Sequence, residues 1–501
     1  MDRNRARSGA APPPGTGSAS ALARFASCEE LRSAIVEDAR RKISVQAERL
    51  RQDGFFVVRD GGGGVPAPTP GLTPDEGGPV DFTDTNVQVP GVDEADVVET
   101  DGTRLYLLDG SGLVVLDAWP PEATALRARL GIEGSPIAMF VAEGRALVLS
   151  HVYDAGELGG DRACDFLGPP MPMPLVGVRE ADLVLPCGAL FTKLTLVDVS
   201  AAEPRVVREI YLEGGYAAAR RHGSRARVVV QRGWGLPAGV PEPWSAIWDP
   251  SPPASREELI ERVDAWEAAA LAAVAAGSLA EWLPAQRERI GGVLTELPTS
   301  CGDVHVPAPG LTGDGATQIF AVDIAADEGA SRDTLILGGG SQVYANADTL
   351  LLAQPDWSWF DAGEATDRSA VHVFAIGADT LETGYRASGF VPGTTLSQFA
   401  FDVRDGVIRV ATTVASREAG TPEAPPTVSR ITTVRVSGDA LAPVGSTGDL
   451  APGERIYSAR FLGDRAYLVT FLQIDPLFVV DLSDPAAPRV LGEVELPGFS
   501  E

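Results

Sequence analysis

An all-β chain built from repeated four-stranded antiparallel sheets is what this sequence predicts, and three observations predict it. The stretch from Glu454 to Gly498, ERIYSARFLGDRAYLVTFLQIDPLFVVDLSDPAAPRVLGEVELPG, reads as four short strands joined by local turns. Tyr457 to Phe461 and Ala466 to Phe471 are β-branched and aromatic runs flanking Gly463-Asp464, the composition of a tight hairpin turn. Next, the same hairpin recurs upstream, with turns at Gly102, Gly144, Gly223, Ala347, Gly406 and Gly463. Finally, the outer strand pair recurs as TLVDVSAAEPRVVREIYLEG from Thr195, FAVDIAADEGASRDTLILGG from Phe320, VFAIGADTLETGYRASGFVPG from Val373 and VVDLSDPAAPRVLGEVELPG from Val479, each closing on a glycine. A sheet this small cannot bury both faces alone. Six such units are visible, and neighbours of the same kind predict radial stacking as a β-propeller.

Taking the chain in order, residues 1–18 are rich in Arg, Ala, Pro, Gly and Ser and lack an apolar core segment, so they read as a disordered leader, not a signal peptide. Such a tail also follows the anchor of exported or lipidated proteins, which places the expected start upstream of Met1. Residues 19–54 read as an amphipathic helix. Ser27 with Glu30 forms a capping box, and Leu31, Ile35, Ala39, Ile43, Ala47 and Leu50 recur at steps of three or four. It is expected to pack against the outside of the main domain. Residues 55–82, with Gly61 to Gly64 and a Pro-rich run, read as a flexible linker; no Lys-Ser/Thr follows the glycines, which excludes a phosphate loop.

The propeller occupies 83–501. Spacings between hairpin turns are 42, 79, 124, 59 and 57 residues. Two insertions account for the longest: 151–190, bearing Pro and Cys, and 233–311. Removing them returns both intervals to ~40–45 residues, the length of one blade. The larger insertion carries its own helix, with a capping box at Ser255 and Glu258 and an apolar face of Leu259, Val263, Trp266, Ala270 and Val274. It is expected to cover an exposed blade edge, the alternative being a substrate lid. In the fifth unit, VRVSGDALAPVGSTGDLAPG from Val434 to Gly453 is expected to form the outer strands, with Val434, Val436 and Val444 packed toward adjacent sheets. The sixth unit ends within five residues of the C-terminus, so the ring is expected to be incomplete, with open edges that invite dimerisation or aggregation.

Composition sets the limits on function. A formal charge of −28 and a pI near 4.5 argue against nucleic acid and anionic membrane as partners, since both need clustered Lys and Arg. No apolar run approaches the ~20 residues of a membrane-spanning helix. Cys28, Cys164, Cys187 and Cys301 show no zinc spacing. They fit two disulfides in an oxidising compartment or four buried thiols. In an exported protein Cys164 and Cys187, at the ends of one insertion, are the expected pair, worth about 3 kcal/mol by chain entropy. Cys28 with Cys301, or free thiols, is the alternative.

Chemistry-bearing clusters are few. His151, His222, His305 and His372 are scattered, and His372 alternates with Val371 and Val373 in a strand, which favours a structural role. HExxH, GxSxG, Walker and dinucleotide-binding motifs do not occur. The dense polar cluster is Asp84, Asp93, Glu94, Asp96, Glu99 and Asp101. Asp93, Glu94, Asp96 and Asp101 are the metal candidates, fitting Ca²⁺, which takes about six to eight oxygens. EF-hand spacing is missing. The competing reading is that Asp93 and Asp96 cap the inner strand and Asp101 makes the hairpin turn.

Three motifs also carry a family resemblance: TNVQVPGVDEADVVETDG (Thr85 to Gly102), YRASGFVPG (Tyr385 to Gly393), and RIYSARFLGDRAYLVTF with DPLFVVDLSDPAAPRVLGEVELPGFS. From about Thr85 to the last residue the chain resembles the secreted prokaryotic β-propeller family, distantly like WD repeats. The resemblance implies an extracytoplasmic propeller, often tethered by an N-terminal signal or lipid anchor. The chain departs from that pattern in lacking a visible export signal and in stopping where family members continue with further blade sequence. Two function classes follow. One is a binding or scaffold module for a protein, peptide or glycan; the other is a metal-dependent or hydrolytic enzyme with residues gathered at the central channel.

Overall fold

The computed structural model describes residues 22–53, 87–154, 158, 189–233, 237, 239–248, 251, 253–307, 315–326, 331–340, 342–356, 366–415, 426–471 and 475–496. Six four-stranded antiparallel blades succeed one another along the chain. Blade 1 comprises Val98–Thr100, Arg104–Asp109, Gly112–Asp117 and Ala125–Gly131. Blade 2 comprises Ser135–Ala142, Arg145–Asp154, Ala189–Asp198 and Arg205–Glu213. Blade 3 is Gly215–His222, Arg225–Arg232, Ala316–Asp323 and Ser331–Leu337. Blade 4 is Gln342–Ala345, Thr349–Pro355, Arg368–Ala375 and Gly384–Pro392. Blade 5 is Phe401–Arg404, Val407–Ala415, Thr427–Ser437 and Ala440–Ser446. Blade 6 is Arg455–Leu462, Arg465–Phe471, Asp475–Asp481 and Arg489–Leu496.

The hairpin turns fall where the glycine pattern puts them. Gly102, Gly144, Gly223, Gly406 and Gly463 all have positive φ. Glu143 and Asp405 share it, so the Glu143-Gly144 and Asp405-Gly406 turns match the twist of the strands they join. At Ala347 a side chain replaces the glycine: Asn346 Oδ1 accepts from the N–H groups of Asp348 and Thr349. Glycines closing the blades have another cause. Gly393 has φ +82°, and a Cβ there would lie 2.4 Å from the Thr413 carbonyl of the next blade. Its own carbonyl accepts from Ser369 Oγ at 2.7 Å, a bond that Thr192 repeats on Gly214 and Thr317 on Gly338. The chain therefore crosses to the next blade against that blade's second strand, where no side chain fits.

Alternation buries both faces of the middle blades. Apolar clusters join blade 1 to 2 through Tyr106, Leu113, Met139 and Val148, and blade 2 to 3 through Phe140, Leu194, Val228 and Phe320. Blade 3 joins 4 through Val229, Ile319, Leu350 and Phe374; blades 4, 5 and 6 share one cluster including Val373, Val410, Ile431 and Leu468. Blades 4 and 5 are also bridged by a single parallel pairing of Ser388 with Ala440. Among the described residues no buried cluster joins blade 6 to blade 1, and Tyr457, Phe471 and Val494 of the former and Val98 and Leu126 of the latter are exposed.

The N-terminal helix α1 spans Cys28–Asp53. Glu30 N donates to Ser27 Oγ, and the Glu30 carboxylate accepts from Ala26 N. Leu31, Ile35, Ala39, Ile43, Ala47 and Leu50 are all buried. Their partner is the insertion, which holds α2 (Pro243–Trp248), α3 (Arg256–Ala276) and α4 (Leu279–Trp282). Val263, Trp266, Ala270 and Val274 of α3 complete one core with α1.

Several expectations are corrected. The edges of blades 2 and 3 are extended by strands, and the helices pack over the blade 3 extension through Val304, Val306, Leu335 and Leu337. The hairpin Gln286–Ile290 and Val293–Glu296 extends blade 2, while Val304–Pro307 pairs in parallel with the outer strand of blade 3 and receives Leu22–Arg24 on its other side. Strands offer the edge backbone hydrogen bonds that a helix cannot. The 151–190 insertion is narrower than expected, because His151 to Asp154 continue the ladder against Ala189 to Thr192. Val434 is buried, but Val436 is 39 % exposed, since it lies beside the turn to Ala440 at the blade's rim. The leader and linker lie outside the described residues.

Candidate functional site

The long insertions leave the blades at one end. Connections between first and second strands span two or three residues, such as 143–144, 405–406 and 463–464. Those between second and third strands span 155–188, 233–315, 356–367, 416–426 and 472–474 in blades 2 to 6. In an antiparallel blade these connections leave from the same end, so the long insertions of blades 2 to 5 depart and return on one face.

A cavity of about 370 Å³ opens among blades 4, 5 and 6 on that face. Asp356, Asp367 and Arg368 flank the blade 4 insertion, Ala415 and Thr427 flank that of blade 5, and Arg455 opens blade 6. Arg368 Nε donates to Asp356 Oδ2 at 2.7 Å, and its guanidinium lies 4.0 Å from the Phe390 ring centre. Asp367 is only 9 % exposed. Its Oδ1 accepts from Ala415 N at 2.7 Å. Burial raises its carboxyl above the ordinary range, against the lowering by the Ala415 N–H and the Arg455 charge. A carboxylate so held in a cleft is a functional candidate on physical grounds.

The acidic motif lies elsewhere. Residues 93–101 thread across the first strands: Asp93–Glu94 pairs with Arg220 and Arg221 of blade 3, and Asp96 bridges Met139 of blade 2 before blade 1 begins. Asp93 accepts from Arg221 Nε at 2.9 Å. Glu94 accepts from Gln398 Nε2 at 2.9 Å, and Gln398 in turn accepts from Arg220. Asp96 accepts from Val97 N, and Asp101 from Thr103, Arg104 and Tyr106 around the hairpin turn. The four metal candidates are thus distributed over different partners, and among the described residues no three His, Cys, Asp or Glu gather around one point. Asp84 lies outside the described residues. The motif ties blades 1, 2, 3 and 5 across the axis.

The histidines serve packing. His222 Nε2 is 2.8 Å from the Asn346 carbonyl, and His151 Nε2 accepts from Tyr216 N. His305 and His372 are buried, His305 accepting from Arg24 Nε at 3.0 Å and His372 Nδ1 lying 2.6 Å from Ser388 Oγ. Desolvation lowers both imidazoles to about 4. Cys28 and Cys301 form a disulfide with a Cα separation of 5.3 Å, fastening α1 to the insertion. The Cys164 and Cys187 pairing lies outside the described residues. Sequence reasoning missed Asp356, Asp367, Arg368 and Arg455; the available signal was the three charges at the ends of the blade 4 insertion, and Arg455 carried none.

The family comparison agrees with this architecture. Residues 82–501 match the family described as Beta propeller domain, and the chain belongs to it. An uncharacterised protein of Methanocaldococcus jannaschii is 41 % identical over 128 residues, 25 % of this chain and 18 % of that one. An uncharacterised protein of Archaeoglobus fulgidus is 35 % identical over 144 residues, 29 % of this chain and 21 % of that one. The matched segments span about a fifth of these relatives' length. Among solved structures, the N-terminal domain of Nup159 covers 82 % of each chain at 8 % identity and a TM-score of 0.28. The Synechocystis apocarotenoid oxygenase covers 80 % of this chain and 71 % of its own at 12 % identity and a TM-score of 0.29. No helix among the described residues is long and apolar enough to cross a membrane.

Proposed function

We propose that this chain is an extracytoplasmic propeller acting as a binding module for a protein, peptide or glycan, received on the face that carries the second-to-third-strand connections. The observation that carries the reading is the one-sidedness of the insertions, together with a cavity on the same face. Binding loops on a rigid scaffold cluster in this way because the sheets hold their positions while the connections vary. An oxidising compartment is supported by the Cys28–Cys301 disulfide, of a kind that reducing compartments do not maintain.

Peptide and glycan arrays probed with the full chain test the reading. Ligands retained by the chain are expected to be lost on Arg455→Glu, at the cavity, and kept on Glu203→Arg, in a third-to-fourth-strand connection on the opposite face. The reverse pattern would refute it.

A further inference from the structure

We infer that the cavity among blades 4, 5 and 6 binds a small zwitterion, a free α-amino acid or short peptide, with its ammonium group on Asp367 and its carboxylate on Arg455. This rests on the reading of that face as the binding face. Asp367 supplies the acceptor: a nearly buried carboxylate that lines the cavity and is positioned by Ala415 N. Arg455 supplies the opposite charge. It is exposed at the start of blade 6, lines the same cavity and is felt electrostatically by Asp367, yet among the described residues it makes no ion pair and no side-chain hydrogen bond. The other charged pair in the lining, Arg368 with Asp356, is already satisfied at 2.7 Å.

An ammonium group relieves what burial costs Asp367, because a buried carboxylate is stabilised by a close cation that also donates to it. A carboxylate on the same ligand then meets the Arg455 guanidinium. Leu396, Ile456 and Pro355 leave apolar wall for a side chain, and the volume suits a small ligand. A sugar could also donate and accept here, but it carries no ammonium group to compensate the buried charge of Asp367.

Isothermal titration of the full chain with alanylalanine is expected to give saturable binding. N-acetyl-alanylalanine, which lacks the ammonium, and alanylalanine amide, which lacks the carboxylate, should each bind about tenfold or more weakly, the worth of one charge-assisted hydrogen bond. Arg455→Gln, at an exposed position that folding tolerates, should erase the preference for alanylalanine over its amide while keeping the preference over the acetylated form. Asp367→Asn should do the converse. Equal binding of all three dipeptides, or no binding of dipeptide or alanine, overturns the inference. Glucose binding that Arg455→Gln abolishes overturns the zwitterion and leaves the binding face standing; array ligands that depend only on the opposite face overturn both.

Discussion

Acidification is expected to destabilise the fold well above the pH at which carboxylates protonate, through His305 and His372. Both imidazoles are buried where charge is not tolerated. His305 faces the Arg24 guanidinium, Asp303, Tyr385 and His372; His372 faces Ser388 and His305. Folding lowers each from 6.5 to about 4, so between those values the unfolded chain binds more protons than the folded one. Stability therefore falls as pH drops below 6.5, and the loss is complete once pH passes about 4. At pH 5 the loss is about 2 kcal/mol per histidine. Asp333 acts oppositely, since burial raises it to about 6, and returns about 1 kcal/mol at the same pH. Urea unfolding of the wild type and His372→Gln at pH 7 and pH 5 isolates the effect: the pH-dependent drop should shrink by about 2 kcal/mol in the variant. The chain has only four histidines, so their imidazole NMR signals can be followed individually. An equal drop in both proteins, or a His372 titrating near 6.5 in the folded chain, would refute the argument.

Reduction of Cys28–Cys301, or Cys28→Ser, should lower stability by up to about 5 kcal/mol on chain-entropy grounds, because the bond closes a separation of 273 residues. Limited proteolysis should then cut between α1 and blade 1 faster; an unchanged unfolding midpoint would contradict this. Gly393→Ala should cost more than Gly406→Ala, about 2 kcal/mol or more against about 1, since both have positive φ but only the former brings a Cβ within 2.4 Å of a carbonyl. Equal midpoints in differential scanning calorimetry would undo that account. Trp266→Ala should cost about 3–5 kcal/mol, emptying the core between α3 and α1 and losing the bond to the Pro241 carbonyl, with far-UV helicity reporting the loss.

Much of the local structure follows from the sequence alone, because its causes are local. The hairpin turns at Gly102, Gly144, Gly223, Gly406 and Gly463 need positive φ, which glycine supplies whatever surrounds it. The capping boxes at Ser27 and Ser255 and the stripe from Leu31 to Leu50 depend on spacing along one helix. Alternation within each unit set the all-β fold class. What only the tertiary structure decided involves residues far apart in the chain. The Asp93 to Asp101 cluster has the density to hold a cation, yet Arg221 and Gln398, more than 120 and 300 positions away, pair with two of its carboxylates. Cys28 and Cys301 meet because α1 docks on an insertion. The candidate pocket was the least legible part: Asp367 and Arg455 lie on different blades, with no shared period or motif, and only the radial packing of sheets 4, 5 and 6 brings the two charges to one cavity.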